Sequence, residues 1–196
     1  INIEHFPAIL LDPRQPQFLR PFGGSTIFPN LTTGVEFHGK YFLGADNINY
    51  HAFVSMDQAQ PEATLFGGRL SYTNDKTGIT VGVNTITGPR NDDSADDDYT
   101  VVGADLMIDK GPILFKSEIF KSYEDATGAN DRLGWYVQPA WRITGKWTAF
   151  YRYDFLDNGQ EGVAESDGIG VGGGDTIENV VGLTFKPIPV VHLRGT

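Results

Sequence analysis

From Thr33 onward the chain alternates apolar and polar residues in segments closed by Gly, Pro, Asn or Asp. An extended strand points successive side chains to opposite faces, so a period of two predicts strands rather than helices. Ten segments are read, in hairpins. The first runs from Thr33–Gly39, through a turn near "KYFLGA", to Asp46–Met56; the second joins Thr64–Thr73 to Ile79–Ile86 through "NDKTG". The third joins Tyr99–Ile108 to Ile113–Tyr123 through "DKGP", and the fourth joins Arg132–Ile143 to Trp147–Leu156 through "TGK". A fifth begins at Thr176–Phe185, turns at "KPIP" and continues through "VVHLRGT". Residues 1–32 are rich in proline and aromatics without either period, and are expected to form an ordered irregular segment ahead of the hairpins of residues 33–196.

The connections carry a second pattern. Those inside hairpins are tight, whereas those between hairpins are long: "TGPRNDDSADDD", "EDATGAND" and "DNGQEGVAESDGIGVGGGD". In an up-and-down meander alternate connections lie at the same end, so one rim is predicted to hold tight turns and the other the long loops. Outer-membrane barrels sort their loops in this way, and a soluble sandwich has less reason to.

The period also assigns faces. In the fourth hairpin one face takes Leu133, Trp135, Val137, Pro139, Trp141, Ile143, Trp147, Ala149, Tyr151, Tyr153 and Phe155. The other takes Arg132, Tyr136, Gln138, Arg142, Thr148, Phe150, Arg152 and Asp154. Elsewhere Glu36, His38, Asn47, Asn49, His51, Arg69, Asn84, Asp105, Lys116, Glu118, Glu178, His192 and Arg194 share the polar side. Two architectures fit: a soluble sandwich or barrel with its apolar face inside, or a membrane barrel with that face in lipid. Rings near strand ends favour lipid, where indole and phenol groups occupy the interface. Trp135, Trp141, Trp147, Tyr151, Tyr153 and Phe155 are therefore expected to face lipid. Pro139 removes a ladder donor, so a bulge or a local break in pairing is expected there.

Composition narrows the classes. No run of about 18 apolar residues exists, which excludes a membrane-spanning helix but not a spanning barrel. A net charge of -10 argues against a nucleic-acid partner, which needs a basic surface. The absence of cysteine removes disulfides, thiolate metal sites and cysteine nucleophiles.

The segments "TGVEFHGKYFLGADNINYHAFV", "GGRLSYTNDKTGITVGV", "VVGADLMIDKGPILFKSEIF" and "GWYVQPAWRITGKWTAFYRYDF" resemble consecutive hairpins of Gram-negative outer-membrane porins of the porin O/P-like, phosphate-selective type. The resemblance runs from about Thr33 to Thr196. It implies an all-β, antiparallel up-and-down transmembrane β-barrel of about sixteen strands. It further implies a bacterial outer-membrane location, contact with lipid and lipopolysaccharide, frequent homotrimers, and passage of small hydrophilic or anionic solutes. Ten strands and the lack of a terminal strand ending in an aromatic residue lead us to expect part of a larger barrel or an unusually small relative. Residues 1–32 would then be an extracellular or lumen-inserted loop.

The chemical constellations are sparse. Asn91–Asp98 is acidic but lacks calcium-loop spacing, and the glycines of 168–175 lack the lysine and following helix of a phosphate loop. His5, His38, His51 and His192 lack metal-ligand spacing, although His38 and His51 could face each other across a hairpin. No serine lies in a nucleophile-elbow sequence. Neither catalysis, a cofactor nor a metal is expected. The candidate functional set is Arg69, Asp105, Lys116, Glu118, Arg142, Arg152, Asp154, Glu178 and Arg194, lining a pore. Such groups either set ion selectivity or pair with one another and stiffen the wall. The expected function is passive diffusion through a hydrated lumen; the alternatives are a barrel or sleeve scaffolding a partner protein and a soluble ligand-binding sandwich.

Overall fold

A computed structural model describes residues 32–57, 64–89, 98–124, 131–157, 175–188 and 191–195. They form ten strands: β1 (Thr32–Leu43), β2 (Asp46–Asp57), β3 (Thr64–Asn74), β4 (Ile79–Pro89), β5 (Asp98–Lys110), β6 (Ile113–Glu124), β7 (Leu133–Arg142), β8 (Trp147–Asp157), β9 (Thr176–Ile188) and β10 (Val191–Gly195). Their order in the sheet is their order in the chain, and each neighbouring pair is antiparallel. The all-β, up-and-down reading is borne out. Among the described residues β1 and β10 each pair on one side only, so the sheet is open and not closed into a barrel. The described strands form one sheet, not the two facing sheets of a sandwich.

The sorting of connections follows from this topology. The hairpin turns at 44–45, 75–78, 111–112 and 143–146 share one end, and the connections 58–63, 90–97, 125–132 and 158–175 share the other. Gly78 shows what a tight turn demands: its φ is 70°, its N–H donates to the Asn74 carbonyl at 2.9 Å, and its carbonyl accepts from the Asp109 N–H at 2.8 Å. A Cβ there would collide with the Asp109 backbone, so only glycine serves.

Two local expectations need correction, and the local break in pairing expected at Pro139 is found. "KYFLGA" is mostly strand: β1 reaches Leu43 and only Gly44 and Ala45 turn, because Tyr41, Phe42 and Leu43 continue the ladder opposite Ile48, Asn47 and Asp46. In "DKGP" only Gly111 and Pro112 turn, since Asp109 and Lys110 pair with Leu114 and Ile113. Pro139 interrupts the β7–β8 ladder without a bulge: Val137 pairs with Tyr153 and Ala140 with Phe150, so the register is unchanged across the gap. A missing N–H removes a bond but inserts no residue, which is why the strand does not slip.

The two faces differ in a way opposite to that of a water-soluble sheet. One face exposes Val181 at 71%, Phe37 at 68% and Val83 at 58%, while the other buries Lys116, Arg152 and Asp154 completely. Two apolar clusters also lie on the buried face. Toward the long connections Leu65, Ile86, Tyr99, Val101, Phe120, Tyr136 and Leu156 pack together with Phe53; toward the tight turns Leu114, Ala140, Phe150 and Val180 pack with Met107. Polar groups therefore occupy a belt between two apolar patches.

Candidate functional site: a buried polar belt

The belt is built by register. Asp105, Glu118, Tyr136, Asp154 and Glu178 stand directly opposite one another on the successive strands β5 to β9. Directly opposed side chains in a ladder approach within about 5 Å at Cβ, and like charges so placed repel. Asp105 opposite Glu118 and Asp154 opposite Glu178 are such like-charge pairs, so cations and donors must accompany them. One position toward the tight turns on the same face, Lys116 stands opposite Gln138, and the conserved register across the Pro139 gap sets Gln138 opposite Arg152. A basic row thus runs beside an acidic one.

Individual contacts complete the compensation. Tyr136 Oη donates to Glu118 Oε1 at 2.7 Å, and Arg152 Nε lies 3.6 Å from Asp154 Oδ2. Arg69 reaches across β4 to Asp105, with Nε donating to Oδ2 at 2.9 Å and Nη2 to Oδ1 at 2.6 Å, while Nη1 donates to Ser71 Oγ at 3.1 Å. This fork is possible because Gly82 lies between them on β4; a Cβ there would meet both the Asp105 carboxylate and the Arg69 guanidinium. Planar, bidentate arginine–carboxylate pairing fixes geometry as well as charge. At the tight-turn rim Arg142 makes a second fork, with Nη1 and Nη2 donating to Asp109 Oδ1 and Oδ2 at 2.7 and 2.8 Å, and Nη1 also donating to the Gly111 carbonyl at 2.9 Å.

The arrangement sorts the residues expected on the polar side. Asp105, Lys116, Glu118, Arg152 and Asp154 belong to the buried belt, Arg69 enters it through Asp105, and Glu178 extends it, partly exposed, on β9. Arg142 lies apart, half-exposed at the rim. Arg194 pairs through its backbone with Thr184, but its side chain lies outside the described residues, as do His5, His192, residues 1–31 and the runs 91–97 and 168–174. The Arg69–Asp105, Arg142–Asp109 and Arg152–Asp154 pairs run along the sheet, between residues on the same or nearby strands.

Two belt members were not among the sequence candidates. Tyr136 and Gln138 lie on the polar face, but their side chains are uncharged, and only the pairing shows them between the charged ones. Gln138 is 1% exposed, and neither its Oε1 nor its Nε2 has a hydrogen-bond partner among the described residues. Ser55 Oγ and Asn84 Nδ2 are in the same condition. Buried polar atoms are ordinarily satisfied, by protein or by water.

The outer, more exposed face carries six of the eight aromatic residues of the fourth hairpin, Tyr136 and Phe150 being buried on the other. Trp135 packs on Tyr153 and Phe155 with centroids 5.4 and 5.8 Å apart, and Trp147 stacks on Phe185 at 4.3 Å. Trp141 is 53% exposed and Tyr151 donates from Oη to Asn179 Oδ1 at 2.5 Å. Rings gather toward both strand ends, with Tyr41, Tyr72, Trp141 and Trp147 near the tight turns and Phe66, Tyr123, Trp135 and Phe155 near the long connections. The aliphatic Leu70, Val83, Ile119 and Val181 lie between, together with the rings of Phe37, Tyr50 and Tyr151.

Chemically the belt can hold charge and orient dipoles. Among the described residues no group of three or more His, Cys, Asp or Glu side chains converges on a metal position. No helix of the described residues is long and apolar enough to cross a membrane, which says nothing of crossing by strands. Comparison with models of protein families, with curated proteins and with solved structures found no match.

Proposed function

We propose that this chain is part of a β-barrel of the bacterial outer membrane through which small hydrophilic or anionic solutes diffuse passively. The observation that carries the reading is the reversal of the faces: large apolar side chains stand exposed along nearly every strand, while the ionisable Asp105, Lys116, Glu118, Arg152 and Asp154 are buried on the other face. In water an apolar surface spread over many strands is a strong aggregation hazard, because monomeric soluble proteins rarely expose contiguous apolar patches beyond a few hundred Å². In lipid the same surface is at home, and rings toward the strand ends suit the membrane–water interface. The polar belt then faces the barrel interior, where Arg69, Lys116, Arg152, Asp105, Glu118, Asp154 and Glu178 would set the field a permeating ion meets. Contacts with lipid and lipopolysaccharide, and assembly as a homotrimer, belong to the same proposal.

A second reading has a specific observation in its favour. Lys116, Arg152 and Asp154 are wholly buried and bracketed by apolar clusters, as expected of a filled interior that stiffens a structural barrel or a sleeve for a partner protein. One pair of measurements separates the two. Full-length protein reconstituted in planar bilayers should give single-channel conductance steps if solutes pass. Membrane insertion without conductance rejects the passage and favours the structural barrel; a chain that is monodisperse without detergent rejects both.

A further inference from the structure

We infer that His38 and His51 form a binding site for one divalent transition-metal ion on the β1–β2 hairpin, with Glu36 as the group that orients it. The site is separate from the charged belt, and its occupancy does not depend on whether the barrel conducts.

The geometry has three parts. His38 and His51 are directly opposed in the β1–β2 register, and their rings lie 5.7 Å apart between centroids with an interplanar angle of 20°. Two imidazoles sharing a tetrahedral ion at a metal–nitrogen distance of about 2.1 Å hold their centroids about 5 Å apart, so the backbone places the rings near ligating separation; the rings stand stacked, and a rotation about the His38 side-chain torsions is what turns its in-plane lone pair toward a shared ion. Second, His51 Nδ1 lies 2.6 Å from Glu36 Oε1. An ionised carboxylate can only accept, so Nδ1 carries the hydrogen, and in the neutral ring the lone pair sits on Nε2. A carboxylate that fixes the far nitrogen of an imidazole is the usual outer partner of a metal-bound histidine, orienting the ring and raising its basicity. Third, the pair is reachable: the side chains of His51 and Glu36 are 28% and 38% exposed, and His38 is exposed.

The surroundings do not oppose a cation. Arg69 stands opposite His51 on β3, but its guanidinium is engaged by Asp105 on the far side of Gly82. Lys40 is two residues beyond His38, and its ammonium lies over the Phe42 ring, 5.6 Å from the centroid, on the side away from His38. Asn49 donates to Asn47 Oδ1 at 2.8 Å. Two protein nitrogens with water filling the remaining positions make a labile site, and imidazole ligands suit Zn²⁺, Cu²⁺ and Ni²⁺ in preference to Ca²⁺ or Mg²⁺.

The test uses the full chain in detergent micelles, with Cu²⁺ for electron paramagnetic resonance and Zn²⁺ for calorimetry. One ion per chain is expected, with superhyperfine structure from two nitrogens. His38→Ala or His51→Ala should each weaken binding at least about tenfold, and His5→Ala and His192→Ala should leave it unchanged. Glu36→Gln should cost about 10- to 100-fold, the range for loss of such an outer partner. Matching far-ultraviolet circular dichroism in every variant excludes misfolding as the cause. A His38→Ala/His51→Ala double variant that binds as tightly as the parent, or keeps the two-nitrogen signal, overturns the site; an unchanged affinity in Glu36→Gln overturns the part assigned to Glu36.

Discussion

The β1–β2 hairpin and the β6–β8 strands carry the same kind of alternation, yet their polar faces end in different environments. On β1 the residues Glu36, His38, Lys40 and Phe42 are exposed, whereas Lys116, Glu118, Gln138, Arg152 and Asp154 on β6 to β8 are essentially sealed. Residue type does not explain this, since lysine and glutamate occur in both sets. Position does contribute: among the described residues β1 pairs with a strand on one side only, while β6, β7 and β8 are flanked by strands on both sides. The same charge therefore has different consequences in the two regions. In the sealed belt an ion must be matched, because desolvation costs several kcal/mol per ion; at the edge water does the matching.

The largest effect should come from unmatching the sealed belt. Arg152→Ala leaves Asp154 buried beside Glu178, and loss of one partner of a buried pair costs about 3–5 kcal/mol. Guanidinium unfolding in lipid vesicles, followed by tryptophan fluorescence, measures it. A loss below about 1 kcal/mol would mean that water reaches the belt and that it behaves like the edge. Next is the exposed face, where Val181→Arg separates the two solvents. At mid-bilayer arginine costs about 2–4 kcal/mol on the lipid side of a barrel strand, while a surface substitution in water falls within about 0.5 kcal/mol.

A smaller effect is expected of Gly82→Ala. The added methyl must displace the Arg69–Asp105 fork, and overpacking of this kind costs about 1–3 kcal/mol. Combining it with Arg69→Ala should give less than the sum of the two losses, because both disturb one contact. The smallest belongs to Lys40→Ala on β1, expected within about 0.5 kcal/mol. Should Lys40→Ala instead match Arg152→Ala, the edge would be as sealed as the centre, and the contrast drawn between the two regions would fail.

Much of this was legible in the chain. "RLGWYVQPAWRI" and "WTAFYRYDFL" alternate so regularly that every aromatic and every charge falls on the side the period assigns. "YTVVGADLMI" is less readable, because Val101 and Val102 are the same residue, yet Val101 is 1% exposed and Val102 42%. Period two separates faces only where neighbours differ in polarity, so the apolar clusters of Leu65, Ile86, Val101 and Phe120 on the polar side escaped it. The belt was half legible. Its charged members stand out as polar letters on a strand, but that Asp105 faces Glu118, or that Arg69 forks to Asp105 over Gly82, depends on which residues of separate strands lie opposite, and a strand carries no mark of its partner's register.

The sequence by itself determined the strands, their two faces, the tight and long ends and the exclusion of a spanning helix, because each follows from local alternation, turn chemistry and run length. Only the tertiary structure decided which charges are sealed and which exposed, the fork of Arg69 to Asp105 across β4, and the unbroken register past Pro139. Those depend on distances between residues far apart in the chain, where burial turns a weak surface charge into one that must be paired.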